Sequence, residues 1–149
     1  MIYEHSQTAR APFYAFAVVA VVFIVALGFG ESPLGGTIGF VVFLAVIALV
    51  MLNFSRLTTT IDQEAVRAHF DQGWPKREIP LNEISTVDVV RNKWWYGFGA
   101  RLTPHGWLYN VWGLDAVEIT LVSGKAFRIG TDRPDDLAAT LRKVASSAR

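Results

Sequence analysis

The chain has 149 residues, no cysteine, and 14 Lys and Arg against 13 Asp and Glu, a net charge of +1. Disulfides, thiolate catalysis, Cys-ligated zinc, iron–sulfur clusters and c-type haem are therefore excluded, and a strongly cationic nucleic-acid binder is not expected. Hydrophobic residues make up 52% and charged residues only 18%, with a mean hydropathy of +0.31, which argues against disorder and against a single water-soluble domain.

The charge shortage is local. Residues 1–10 form a short polar segment. Residues 11–30 and 32–55 carry no charge, and only Glu31 interrupts them. A bilayer core about 30 Å thick needs roughly 20 apolar residues in a helix. Two membrane helices are therefore predicted, about 11–30 and 33–55, joined by a tight turn at Glu31-Ser32-Pro33. A buried helical hairpin in a soluble fold is the poorer reading, because the remaining residues could not cover two helices that are apolar all round. A cleaved signal peptide is poorer too, since the first run is too long and a second follows at once. Arg10 and Arg56 flank the outer ends while the turn has no Lys or Arg, so both termini are expected in the cytoplasm.

Ala26, Gly30, Gly35 and Gly39 gather toward the turn at four-residue spacing. Small residues let membrane helices approach closely, and the same positions could serve a homo-oligomer. No ionisable side chain lies inside either run. Ion and proton pathways normally need one, so the pair reads as an anchor or as a face for other membrane helices.

From residue 56 the balance turns ordinary and the hydrophobic period becomes two. Leu57, Thr59 and Ile61 alternate, then Val66, Ala68 and Phe70 after a turn at Asp62-Gln63-Glu64. Residues 71–75 form a loop and 76–79 a short strand. A longer strand covers 84–91, with Val87 and Val89 inward. Residues 97–103 and 107–111 flank Pro104-His105-Gly106 and predict a hairpin, with Phe98 and Leu102 inward and Arg101 outward. Val117, Ile119 and Leu121 predict the next inner face, and Phe127 and Ile129 the return. About seven short strands imply a sandwich or barrel. Thr131 or Asp132 is the expected cap of a last helix, with Pro134, Asp135 and Asp136 in its first turn. Leu137, Leu141 and Val144 give it one apolar face, predicted to close the barrel.

The stretches GFGARLTPHGWLYNV, DAVEITLVSGKAFRIGT and DRPDDLAATLRK, behind two membrane helices, resemble small bacterial inner-membrane proteins with a pleckstrin-homology-like domain. The likeness covers roughly residues 11–146. It implies a membrane α-helical hairpin followed by a cytoplasmic PH-like barrel over 56–149. The family shares no catalytic residues; with the anchor and the near-neutral β domain, the expected role is a non-enzymatic accessory, assembly or scaffold module beside an integral membrane partner, with a lipid-sensing regulatory module as the alternative and no cofactor. Inositide-binding members carry a basic cluster in their first hairpin, and here residues 57–70 hold only Arg67.

Residues 89–114 hold Arg91, Lys93 and Arg101 with no acid, and four of the five tryptophans. Trp and Tyr favour the headgroup zone, and Lys and Arg there meet anionic lipid. Arg91, Lys93, Trp94, Trp95, Tyr96 and Arg101 are thus the candidate contacts for membrane lipids or a partner. The competing reading puts these aromatics in the core. His5, His69 and His105 are too scattered for a metal site. Gly97-Phe98-Gly99 lacks the helix and third glycine of a phosphate loop. No nucleophile elbow or carboxylate pair stands out. The basic-aromatic mix could suit single-stranded nucleic acid, but a near-neutral domain beside a membrane argues against it.

Overall fold

The computed structural model describes residues 2–9, 11–28 and 34–148. The domain is mostly β, with a C-terminal helix. Among the described residues, nine strands and three α-helices follow in the order β1 (Tyr3–Thr8), α1 (Ala11–Gly28), α2 (Leu34–Asn53), β2 (Arg56–Ile61), β3 (Ala65–Phe70), β4 (Lys76–Pro80), β5 (Ile84–Arg91), β6 (Gly99–Thr103), β7 (Gly106–Asn110), β8 (Asp115–Leu121), β9 (Ala126–Gly130) and α3 (Pro134–Ser147).

The first sheet has the order β1-β2-β3-β4 and the second β5-β8-β9-β7-β6. The residues expected to face inward do so where both neighbours of a strand are present. Val66, Ala68 and Phe70 on β3 are buried, as are Val117, Ile119 and Leu121 on β8 and Phe127 and Ile129 on β9. At sheet edges the alternation fails. Leu102 on β6 is 71% exposed, and Val89 on β5 and Phe98 just before β6 are also open to solvent. β5 and β6 each lack a neighbour on one side.

Three features depart from the expected barrel. The strands form two sheets that do not join, with a one-turn 3-10 segment, Leu81–Glu83, between β4 and β5. β7 pairs with β9 in parallel, Trp107 opposite Phe127 and Tyr109 opposite Ile129, where a simple meander would be antiparallel throughout. Gly106 permits the close approach at that pair: its φ is +102°, and a Cβ there would lie 2.0 Å from the Ala126 carbonyl oxygen. Finally, residues 3–8 are a strand of the domain. β1 runs antiparallel to β2 from Tyr3 opposite Ile61 to Thr8 opposite Arg56, and the Ala9 N–H donates to the Ser55 carbonyl at 2.8 Å beyond the last pair.

α3 buries Leu137, Ala138, Leu141 and Ala145 against β5, β8 and the Leu81–Glu83 turn. Pro134 opens it, and Asp135 and Asp136 occupy its first turn, where the helix dipole favours acids. The cap differs from expectation: Arg133 is the boundary residue and contributes no side-chain cap. Thr131 accepts from the Arg133 N–H at 3.1 Å, while Asp132 meets His5 Nε2 of β1 at 2.5 Å. The second helix is tied to the sheets as well. Asn53 Nδ2 donates to the Trp74 carbonyl at 2.9 Å, and Phe54 packs edge-on against Phe70 at 4.6 Å between ring centroids.

Among the described residues, one helical span is long and apolar enough to cross a membrane, Gly36–Asn53, with mean hydropathy 2.4. α1 contains a shorter apolar stretch, Phe16–Val25. The two helices meet where Phe23 stacks on Phe40 at 3.9 Å. The proposed turn at residues 31–33 lies outside the described residues.

Candidate functional site

The aromatic-basic segment begins where β5 ends. Arg91 stands opposite Asp115 of β8, and their side chains pair at 3.5 Å. Asn92 turns inward and pins the segment at its root. Its N–H donates to the Leu114 carbonyl at 2.7 Å, and its Oδ1 accepts from Arg128 at 3.1 Å. Arg128 is buried and also binds Glu118 at 2.6 Å. A charged donor held this way is well satisfied, so the segment leaves the sheet from a rigid base.

Trp94–Tyr96 then form one 3-10 turn. Trp94 is 76% exposed and Trp95 60% exposed. These rings are therefore surface residues and do not fill the core. Trp94 and Trp95 meet edge to face at 5.8 Å, and Tyr96 lies 6.4 Å from the His105 ring. The Lys93 ammonium sits 5.0 Å from the Trp95 ring centroid, a cation–π distance. Gly97 and Gly99 take φ of +73° and +90°, which lets the chain turn sharply into β6. Arg101 folds back, its Nε donating to the Phe98 carbonyl at 2.9 Å.

The segment lies at the base of the helices. Phe98, Gly99, Ala100 and Arg101 line a cleft of about 370 Å³ with Phe13 of α1 and with Val50, Met51 and Phe54 at the end of α2. A Cβ at Gly99 would touch the Phe54 ring at 3.6 Å. Phe98 stacks on Trp112 at 5.6 Å. The Trp112 carbonyl accepts from Gln7 Nε2 of β1 at 3.0 Å. Arg101, Phe98 and Trp112 are thus brought together beside α1 and α2, with Trp94, Trp95 and Tyr96 two to four residues before Phe98.

The six candidates divide by electrostatic environment. Arg91 is neutralised by Asp115, and Lys93 is shared with an indole face. Trp94, Trp95 and Tyr96 form one aromatic cluster, and Arg101 stands on the cleft wall. Trp74, in the loop of residues 71–75, is a further surface indole and lines a separate groove beyond Phe54. It is 72% exposed, and its carbonyl is held by the end of α2. Its position between Gly73 and Pro75 was the available signal, since an indole in a Gly-Pro loop has little chance of being core.

The helix-packing candidates are less informative. An added Cβ at Gly39 meets nothing within 4 Å. Gly30, and the side-chain surroundings of Ala26 and Gly35, lie outside what is described. Among the described residues no three of His, Asp and Glu gather in a metal-binding group. Comparison with protein-family models finds no match, and comparison with curated proteins finds none.

Proposed function

We propose that the protein is a non-enzymatic, membrane-anchored binding module, an accessory or scaffold component of a larger complex in a bacterial inner membrane. The observation that carries this reading is the insertion of α1 and α2 between two strands that pair with each other. With β1 and β2 joined rung by rung up to Ala9 and Ser55, α1 begins two residues after that last rung and α2 ends two residues before it. Such a module holds its surface at a fixed height and orientation. The pairing also supports a topology with both termini on one side, the cytoplasmic side by the flanking arginines. The two-sheet domain with its C-terminal helix is in keeping with the pleckstrin-homology resemblance, although the parallel β7–β9 pair departs from a plain meander.

The surface so held carries exposed Trp94 and Trp95 next to Lys93. Exposed indoles with a neighbouring cation are typical contact anchors, and an integral membrane protein is the partner that a surface at this height would meet. Isolation of the tagged full chain in mild detergent tests the proposal. A stoichiometric membrane protein should co-purify and should be lost from the Trp94→Ala/Trp95→Ala variant. A chain that purifies alone with both indoles intact would refute it. The same aromatic-basic surface favours a second reading, a lipid-sensing module. In that case reconstituted protein should change its tryptophan emission with anionic lipid content and need no protein partner.

A further inference from the structure

A second surface lies on the other side of Phe54, at the seam where the two sheets fail to join. Here β4 ends the first sheet and β6, with β7 beside it, ends the second. Between them runs a groove of about 510 Å³, lined by Phe54, Trp74, Lys76, Arg77, Trp107 and Tyr109 among others. Binding pockets for small ligands commonly span about 300–1,000 Å³.

The charges in this groove are one-sided. Lys76 and Arg77 are both exposed, and both line this groove from the edge strand β4. No acidic residue lines the groove. Glu78, the acid next in sequence, is paired with Arg67 at 2.9 Å. Elsewhere Arg56, Arg91 and Arg128 are each paired with a carboxylate, but among the described residues no ion pair involves Lys76 or Arg77. The Arg77 charge also reaches Tyr109: burial raises the phenol above its ordinary value and Arg77 opposes that rise. The groove is therefore cationic, walled by indoles, and begins one residue beyond the end of α2.

We propose that this groove seats the headgroup of an anionic phospholipid, with Arg77 and Lys76 on its phosphate and Trp74 and Trp107 against its glycerol backbone. The inference rests on the membrane-anchored reading above. Phe54 and Trp74 are tied to the last turn of α2, which sets the groove at the depth where phosphates lie if α2 spans the bilayer. Indoles favour that depth, and because Lys76 and Arg77 are exposed their attraction to phosphate weakens as salt rises.

Native mass spectrometry of the full chain in detergent tests the proposal, with phosphatidylglycerol and phosphatidylcholine of identical acyl chains offered together. The protein should retain phosphatidylglycerol at least about tenfold over phosphatidylcholine. Lys76→Ala/Arg77→Ala should weaken this retention about thirty-fold, roughly fivefold per cation. Lys125→Ala/Lys143→Ala removes the same charge from exposed positions in the β8–β9 turn and on α3 and should leave retention unchanged. Equal retention of both lipids, or equal losses in both variants, overturns the proposal. So does full displacement by free glycerol 3-phosphate, which would make the site one for a soluble phosphate. Charges on edge strands also guard sheets against pairing; if the Lys76→Ala/Arg77→Ala variant oligomerises while its lipid retention is unchanged, these residues are edge guards and the proposal fails. Carbonate washing of membranes is done first. A chain that washes off refutes the anchoring itself, whereas a chain that stays in the pellet but shows no lipid preference refutes only the groove.

Discussion

Removing β1 should damage the β domain more than removing both helices. Two variants separate the effects. One is residues 56–149 alone. The other keeps residues 1–9 and joins them to residue 55 through Asn-Gly. The second is geometrically reasonable because Ala9 and Ser55 already face each other across a 2.8 Å backbone hydrogen bond, and a two-residue Asn-Gly turn suits such a pair. The first variant loses six cross-strand pairs. At about 0.2–1 kcal/mol each, these amount to about 1–6 kcal/mol. It also loses the bond from buried Gln7 to the Trp112 carbonyl, a further ~1 kcal/mol. Small domains are stable by only about 5–15 kcal/mol. With a shift of about 4–8 °C per kcal/mol in a domain near 100 residues, a loss of ~2 kcal/mol lowers Tm by at least about 8 °C.

The assay is thermal unfolding by circular dichroism in detergent-free buffer. The joined variant should be soluble and unfold cooperatively. Residues 56–149 should melt at least about 8 °C lower, or without a clear transition. Equal midpoints would show that β1 contributes nothing. An insoluble joined variant would show that the sheets need the helices beneath them, and would refute the inference that Ala9 and Ser55 form a simple hairpin end.

Leu141 is fully buried on α3, so Leu141→Asp should cost several kcal/mol by burying an unpaired carboxylate, against about 2–5 kcal/mol for Leu141→Ala; an unchanged melt of the full chain in detergent would mean α3 does not cover the sheets. Asp62 accepts from the Glu64 and Ala65 N–H groups at 2.8 and 2.9 Å, and with Arg67 beside it these bonds hold its carboxyl at about 2 against the ordinary 3.8. A lowered carboxyl pKa gives stabilisation that is complete above the unfolded value and lost as pH falls through the folded one, so Asp62→Asn should flatten the stability profile between about pH 4 and 2, and an NMR titration should show a midpoint near 2. Trp94→Ala/Trp95→Ala should change stability by no more than about 0.5 kcal/mol per site, as exposed positions do; a loss of several kcal/mol in the melt would return these rings to the core.

The inner faces of β3, β8 and β9 were legible because each alternates apolar and polar residues and is flanked by turn residues. β1 was not. Its sequence, Tyr-Glu-His-Ser-Gln-Thr, has no apolar alternation, and its inward positions are Tyr3, His5 and Gln7. What fixes it is a partner on the far side of α1 and α2, and local periodicity carries no information about so distant a pairing. The parallel β7–β9 contact was hidden for the same reason. The edge strands misled in the opposite way: Leu102 and Val89 fit an inward pattern, but β6 and β5 end their sheet and both side chains stand exposed.

Charge at the site depends on the ladder in the same way. Within residues 89–114 the cations have no acid. In space Arg91 has Asp115 from the adjoining strand, and Lys93 faces an indole. Meanwhile Arg77 is followed in sequence by Glu78, an apparent neighbour, yet Glu78 turns to Arg67 and away from the groove. In a strand, adjacent residues point to opposite faces, so proximity in sequence is a poor guide to neutralisation, and the partner across the ladder decides it. A cluster that looks cationic can thus be spent, and an Arg-Glu dipeptide can present a free cation on one face. The two surfaces differ accordingly: one offers exposed indoles beside cations that meet an acid, a ring or a backbone carbonyl, suited to a protein contact, and the other is lined by Lys76 and Arg77, which no ion pair among the described residues engages, suited to a phosphate.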